Sequence, residues 1–243
     1  MLTTLGSSTL LAERFGSDPP ELLALHGWGR NGGDFVPILE GRRGLALHLP
    51  GFGPASAPET VWSSQDYADA IASAIQDSEP LIVVGHSFGG RVAIRLAASY
   101  PNLVKSLVLT GVPIYPSRKP SGPKLSFRFV RFLHSMKLIP DSLMEAARQR
   151  YGSQDYKSAS GVMREILVGV ISENYLADAA RVGCQVAMVW GELDIPAPVE
   201  VAQKALDYFP NATLKIVAGA GHLMTGSLVK ELSRVIDRLL DVQ

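Results

Sequence analysis

Leu81-Ile82-Val83-Val84-Gly85-His86-Ser87-Phe88-Gly89-Gly90-Arg91-Val92 is the stretch on which the reading of this chain turns. An apolar, β-branched run enters Gly85-His86-Ser87-Phe88-Gly89, a G-x-S-x-G pattern. A helical pattern follows over Arg91–Tyr100, with Val92, Ala93, Leu96 and Ala97 on one face and Pro101 as its stop. The five-residue pattern alone is common and also fits an ordinary glycine-rich turn. Between a buried strand and a helix it describes a sharp turn that lifts a serine hydroxyl clear of a sheet. Glycines on either side let the backbone pass closely, and the helix beginning after Ser87 aims its first amides where negative charge can be held.

The surrounding sequence carries the same rhythm. Glu21–His26, Gly44–Leu49, Ser106–Leu109, Gln185–Trp190 and Thr213–Val217 are short apolar runs ending in glycine, proline or polar residues, and they alternate with helical patterns. That is how a parallel sheet with crossover helices appears in a sequence. Gln65–Gln76 places Tyr67, Ile71, Ala74 and Ile75 at helical spacing behind a capping box of Ser63 and Asp66. Leu228, Leu232, Val235, Ile236 and Leu239 mark a final amphipathic helix. The fold class expected is α/β, a mostly parallel doubly wound sheet.

Between Gly111 and Gln185 the strand rhythm stops. Pro113, Pro116, Pro120 and Pro123 precede helical patterns with no clear strand. We read 1–112 and 182–243 as one core domain and 113–181 as an inserted helical cap above the carboxyl ends of the strands, where open α/β sheets bind ligands. Within the cap, Arg118, Lys119, Lys124, Arg128, Arg131 and Lys137 fall in a stretch without acidic residues. On a helix over Lys124–Leu138, Lys124, Arg128 and Arg131 share one face while Leu125, Phe129, Phe132 and Met136 favour another. The stripe reads either as solvated surface or as a dock for an anionic partner such as an acidic carrier protein.

Composition sets outer limits. The 243 residues are 47% hydrophobic, enough for a large core, and 23 basic residues match 23 acidic ones. A neutral balance gives no general attraction to nucleic acid. No apolar run approaches the ~20 residues of a membrane span, no secretory leader pattern stands at Met1–Gly16, and Cys184 is alone. A cytoplasmic protein is expected.

A serine nucleophile needs a base. Of His26, His48, His86, His134 and His222, the first two end early strands, His86 should point away from the nucleophile, and His134 lies in the cap. His222 follows the last strand in Gly219-Ala220-Gly221-His222. The acid should sit after a strand between them, where Gly191-Glu192-Leu193-Asp194 offers two carboxylates. Asp194 heads the proline-stiffened Ile195-Pro196-Ala197-Pro198 and is preferred, with Glu192 the alternative. The oxyanion of acyl transfer needs two backbone donors, for which the amides of Phe88 and of Trp28, in His26-Gly27-Trp28-Gly29, are in place. The side chains of Trp28 and Phe88 would then line the substrate site, with Arg128 and Arg131 on its cap side. Arg91 reads as a solvated cation on the helix face, with recognition of an anionic substrate as the alternative.

Taken in order, His26-Gly27-Trp28-Gly29, Leu49-Pro50-Gly51-Phe52-Gly53, Gly85-His86-Ser87-Phe88-Gly89-Gly90, Gly191-Glu192-Leu193-Asp194 and Gly221-His222 resemble the motifs of the α/β-hydrolase superfamily. Within it, the first two are similar to those of carboxylesterases that cleave pimeloyl-carrier methyl esters. His48 stands where many relatives have aspartate. The resemblance implies a usually eight-stranded sheet with a helical cap, no metal and no organic cofactor. Its implied activity is hydrolysis of a small carboxylic ester. Carbon–carbon bond hydrolysis or a lyase reaction on an anionic substrate is one alternative, and a non-catalytic receptor of the same fold is another.

Overall fold

The computed structural model describes residues 1–5, 10–116, 136, 140, 142–143 and 154–241. Eight strands form one sheet: β1 (Leu2–Thr4), β2 (Leu11–Phe15), β3 (Leu22–Leu25), β4 (Gly44–His48), β5 (Leu81–His86), β6 (Val104–Thr110), β7 (Gln185–Gly191) and β8 (Ala212–Val217). Their spatial order is β1-β2-β4-β3-β5-β6-β7-β8. The first two pairings are antiparallel and the remaining five parallel. The six expected strands are present with ends shifted by one or two residues, except that β5 runs on to His86 and so delivers the chain directly into the turn at Ser87. β1 and β2 were not expected: β1 is a short, mostly exposed edge strand and β2, between β1 and β4, is partly buried, and polar residues interrupt the apolar pattern in both.

The central strands read as continuous apolar runs because both faces are covered. On one face, Tyr67 and Ile71 of helix Ser64–Ile75 and Val92 and Leu96 of helix Phe88–Ser99 pack on Leu23, Val83 and Leu107. On the other, Leu228, Leu232, Val235 and Ile236 of helix Gly226–Asp241 pack on Ala24, Val84, Val108 and Val189. Each such large side chain stabilises the fold by about 1.5–3 kcal/mol when fully buried. The expected capping box is made: Ser63 accepts from the amide of Asp66, whose carboxylate accepts from the amide of Ser63.

Between β6 and β7 the described residues form helices Gln154–Ser158, Gly161–Val170 and Leu176–Ala179. Arg118, Lys119, Lys124, Arg128, Arg131 and Lys137 lie outside the described residues, as does the helix expected over 124–138 apart from Met136, which is exposed. Among the described residues no helix is long and apolar enough to cross a membrane.

Candidate active site

Ser87 sits at φ 51°, ψ −113°, the one non-glycine residue with positive φ among those described. Such a conformation costs on the order of 1–3 kcal/mol and persists only where its surroundings enforce it. Here the Ser87 amide donates to Thr110 O at 3.0 Å and the Gly89 amide to His26 O at 2.9 Å, tying the turn to β6 and to the end of β3. A side chain at Gly89 would collide with the carbonyls of Leu25 and His26, and one at Gly85 with Gly90. The G-x-S-x-G glycines are therefore set by backbone passing backbone.

The two expected oxyanion donors lie on either side of this turn. Among the described residues, nothing accepts from the amide of Trp28 or Phe88. Their rings meet edge to face at 5.2 Å, and both pack on Phe52, at 4.9 Å from Trp28 and 6.1 Å from Phe88. Tyr67 adds a further edge contact to Phe88 at 5.2 Å and donates its hydroxyl to Pro50 O. Phe52 and Tyr67 thus support the site, although the sequence reading gave neither a role. The position of Phe52 within Leu49-Pro50-Gly51-Phe52-Gly53 was the available signal.

Two buried histidines hold the loops around these donors. His26 accepts from the Leu49 amide at Nε2 (3.0 Å), which puts its proton on Nδ1, facing Gly27 O at 2.7 Å. Burial lowers its pKa to about 4. His48 accepts from the Gly32 amide at Nδ1 (3.2 Å) and turns Nε2 toward Glu13 at 3.4 Å, and burial lowers its pKa as well. His48 therefore pins the loop after β3.

The structure brings Asp194, and not Glu192, to His222. Nδ1 of His222 lies 2.9 Å from both carboxylate oxygens of Asp194, which is 5% exposed and also accepts from the Ala197 amide at 2.8 Å. Glu192 points outward and accepts from the Gly219 amide at 2.9 Å, bracing the approach to the same loop. Gly111, at φ 59°, lies beneath the pair: a β-carbon there would stand 3.0 Å from Asp194 Oδ2 and from His222 Nδ1. With Nδ1 held on a carboxylate, the proton resides on Nδ1 and Nε2 is left as the free base.

His86, expected to point away from the nucleophile, sets its Nε2 3.0 Å from His222 O and its ring 4.9 Å from that of His222. That contact fixes the proton on Nε2. Burial first, and the neighbouring His222 second, lower its pKa to about 4.

Ser87, His222, Trp28 and Phe88 line one cavity of about 350 Å³, roofed by Leu167, Val170 and Ile171 of helix Gly161–Val170 and its end. The same wall corrects the solvated reading of Arg91, which is only 7% exposed. Its guanidinium donates to Pro113 O and Val170 O and lies 5.7 Å from the Tyr175 ring centroid. Burial lowers its pKa, and among the described residues no carboxylate stands within ion-pair distance. Asp155, which the sequence gave no reason to single out, also lines the cavity. The described residues contain no cluster suited to a metal ion.

The comparisons with known proteins bear on the family and the fold. Residues 22–233 match the alpha/beta hydrolase family. The chain is 27% identical over 262 residues to a pimeloyl-[acyl-carrier protein] methyl ester esterase of Chromobacterium violaceum, covering 96% of this chain and 99% of that protein. It is 28% identical over 229 residues to the dihydrolipoyllysine-residue acetyltransferase component of an acetoin cleaving system from Cupriavidus necator; the match covers 86% of this chain but 60% of the relative's length. The solved structure of a thermophilic esterase from Thermogutta terrifontis superposes with a TM-score of 0.70 at 17% identity, covering 99% of this chain and 98% of that one.

Proposed function

The chain belongs to the alpha/beta hydrolase family, and from that premise we propose that it is a serine esterase cleaving a carboxylic ester through an acyl-enzyme. The observation that carries the reading is the His222–Asp194 pair opening into the same cavity as the strained Ser87. Ser87 Oγ attacks the ester carbonyl carbon while His222 Nε2 takes its proton. Asp194 holds the imidazole in the needed tautomer and stabilises the imidazolium without accepting the proton. The amides of Trp28 and Phe88 hold the oxyanion. Collapse breaks the bond to the alcohol oxygen, which leaves with the proton from His222, and water repeats the sequence on the acyl-enzyme. The cap in this reading is the segment 113–181, whose described helices Gln154–Ser158 and Gly161–Val170 contribute Asp155, Leu167 and Val170 to the cavity wall. The lone Cys184 supports a reducing cytoplasmic setting.

A fluorophosphonate label should modify Ser87 alone. Ser87→Ala should abolish labelling and lower ester turnover by about 10⁴-fold or more, leaving only positioning and oxyanion stabilisation. Wild-type turnover by pure, folded Ser87→Ala protein would end this reading, and an unlabelled wild-type protein would favour a receptor.

Arg91 supports an acyl group that ends in an anion. A buried guanidinium without a carboxylate partner is costly, and a substrate carboxylate reaching between Pro113 and Val170 would match it. Arg91→Met should therefore reduce kcat/KM for a dicarboxylic half-ester at least about tenfold more than for a neutral ester of equal length. An equal reduction for both would make Arg91 purely structural.

A further inference from the structure

Asp155 stands in the cavity wall together with His222, on the cap helix Gln154–Ser158. Its carboxylate has no hydrogen-bond or ion-pair partner among the described residues. The other charged residues that line the cavity, among those described, each have a partner. Arg30 is held by Asp34 through two contacts of 2.7 and 2.6 Å, His222 by Asp194, and Arg91 is turned toward Pro113 and Val170. Among the described residues His222 is the charged group that acts on Asp155, pulling its carboxyl down while burial, the larger effect, pushes it up.

This placement has a chemical meaning that rests on the esterase reading above. The oxygen that leaves must lie within reach of His222, because His222 supplies its proton. A carboxylate that lines the same cavity as His222 and is acted on by its charge therefore lies on the side of the alcohol half of the ester. We infer that Asp155 is a specificity-determining residue that selects alcohols carrying a positive charge over neutral alcohols of the same shape. Arg91 and Asp155 give the cavity opposite charges at separate places, so an ester acidic in its acyl half and cationic in its alcohol half matches both. The carboxylate touches no reacting atom. It acts through charge alone, and salt should weaken it.

The test uses two esters with one acyl group, the choline ester and its uncharged isostere, the 3,3-dimethylbutyl ester. Wild-type protein should favour the choline ester in kcat/KM by about two- to fivefold, the scale of a single partly exposed charge pair. The preference should shrink as salt rises. Asp155→Asn should bring the ratio to about one and Asp155→Lys should take it below one. A ratio of one in the wild-type protein, or a preference that survives in Asp155→Asn, overturns the inference. Binding of free choline against 3,3-dimethylbutanol, read by fluorescence of Trp28 in the same wall, tests it without turnover. Stronger choline binding that Asp155→Asn abolishes supports it, and equal binding overturns it. Failure of the esterase reading shows separately, as a Ser87 that fluorophosphonate does not label.

Discussion

The loops after β3 and β8 both leave the carboxyl ends of parallel strands and line the same cavity, and each presents an imidazole held in a different way. His26 is fully buried and spends both ring nitrogens on backbone groups, Gly27 O and the Leu49 amide. His222 keeps its side chain 19% exposed and spends only Nδ1, on a carboxylate. The difference separates a pin from a base. An imidazole between backbone groups in a dry interior is held neutral and transmits rigidity. One on a carboxylate at a cavity wall has a free nitrogen and a partner ready for its positive form. His86 lies between the two cases: it is buried and neutral like His26, yet its single partner is the backbone of His222.

The sharpest way to break this comparison is to change the partner of the base. Asp194→Asn keeps the shape of the pair but no longer enforces the tautomer that frees Nε2, so turnover should fall on the order of 10⁴-fold. Glu192→Gln should stay within a few-fold of wild type, since Glu192 only accepts from the Gly219 amide. Steady-state rates on one ester rank the two, and a reversed ranking would move the acid to Glu192.

The pins are tested by acid. His26 and His86 both have pKa values lowered to about 4 in the folded protein from 6.5, so between those values the unfolded chain binds more protons. Stability should be complete above about pH 6.5 and fall as pH drops toward 4, by roughly 3 kcal/mol per imidazole at the lower end. Urea unfolding from pH 7 to 4.5 reads the slope. His86→Phe and His26→Phe should each flatten it, and a slope unchanged in both variants would mean these imidazoles are not the buried neutral pins described.

How much of this was legible follows from what each feature depends on. The turn at Ser87 could be read because strand, glycines and helix are local in sequence, and β5 and helix Phe88–Ser99 bear that out. Asp194 could be preferred over Glu192 from the prolines that follow it. The roles of His26 and His48 were hidden, because a histidine at a strand end looks the same whether it meets a backbone amide or water. Arg91 was misjudged for a similar reason: its helix face was taken for surface, while Val170 and Tyr175, about 80 residues away, cover it. Asp155 carried no signal at all. One carboxylate among many becomes notable only when the fold brings it into the same cavity as His222.

The smallest expected effect lies farthest from the chemistry. If the cap is a dock for an acidic carrier, Arg128 and Arg131 act at the rim, where charge governs encounter and salt dependence more than the bond-breaking step. Reversing both to glutamate should lower kcat/KM by a few-fold for an ester on an acidic carrier and leave a small neutral ester nearly unchanged, whereas Arg91→Met acts inside the cavity on any acidic acyl chain. Salt separates the two cations. Raising ionic strength should erase the difference made by Arg128→Glu with Arg131→Glu if the stripe is a dock, because long-range attraction to an acidic carrier is screened. It should hardly touch the loss from Arg91→Met, whose guanidinium is shielded from solvent. Equal losses on carrier-bound and neutral esters, or a rim effect indifferent to salt, would return the stripe to ordinary solvated surface and leave Arg91 and Asp155 as the charges that choose the substrate.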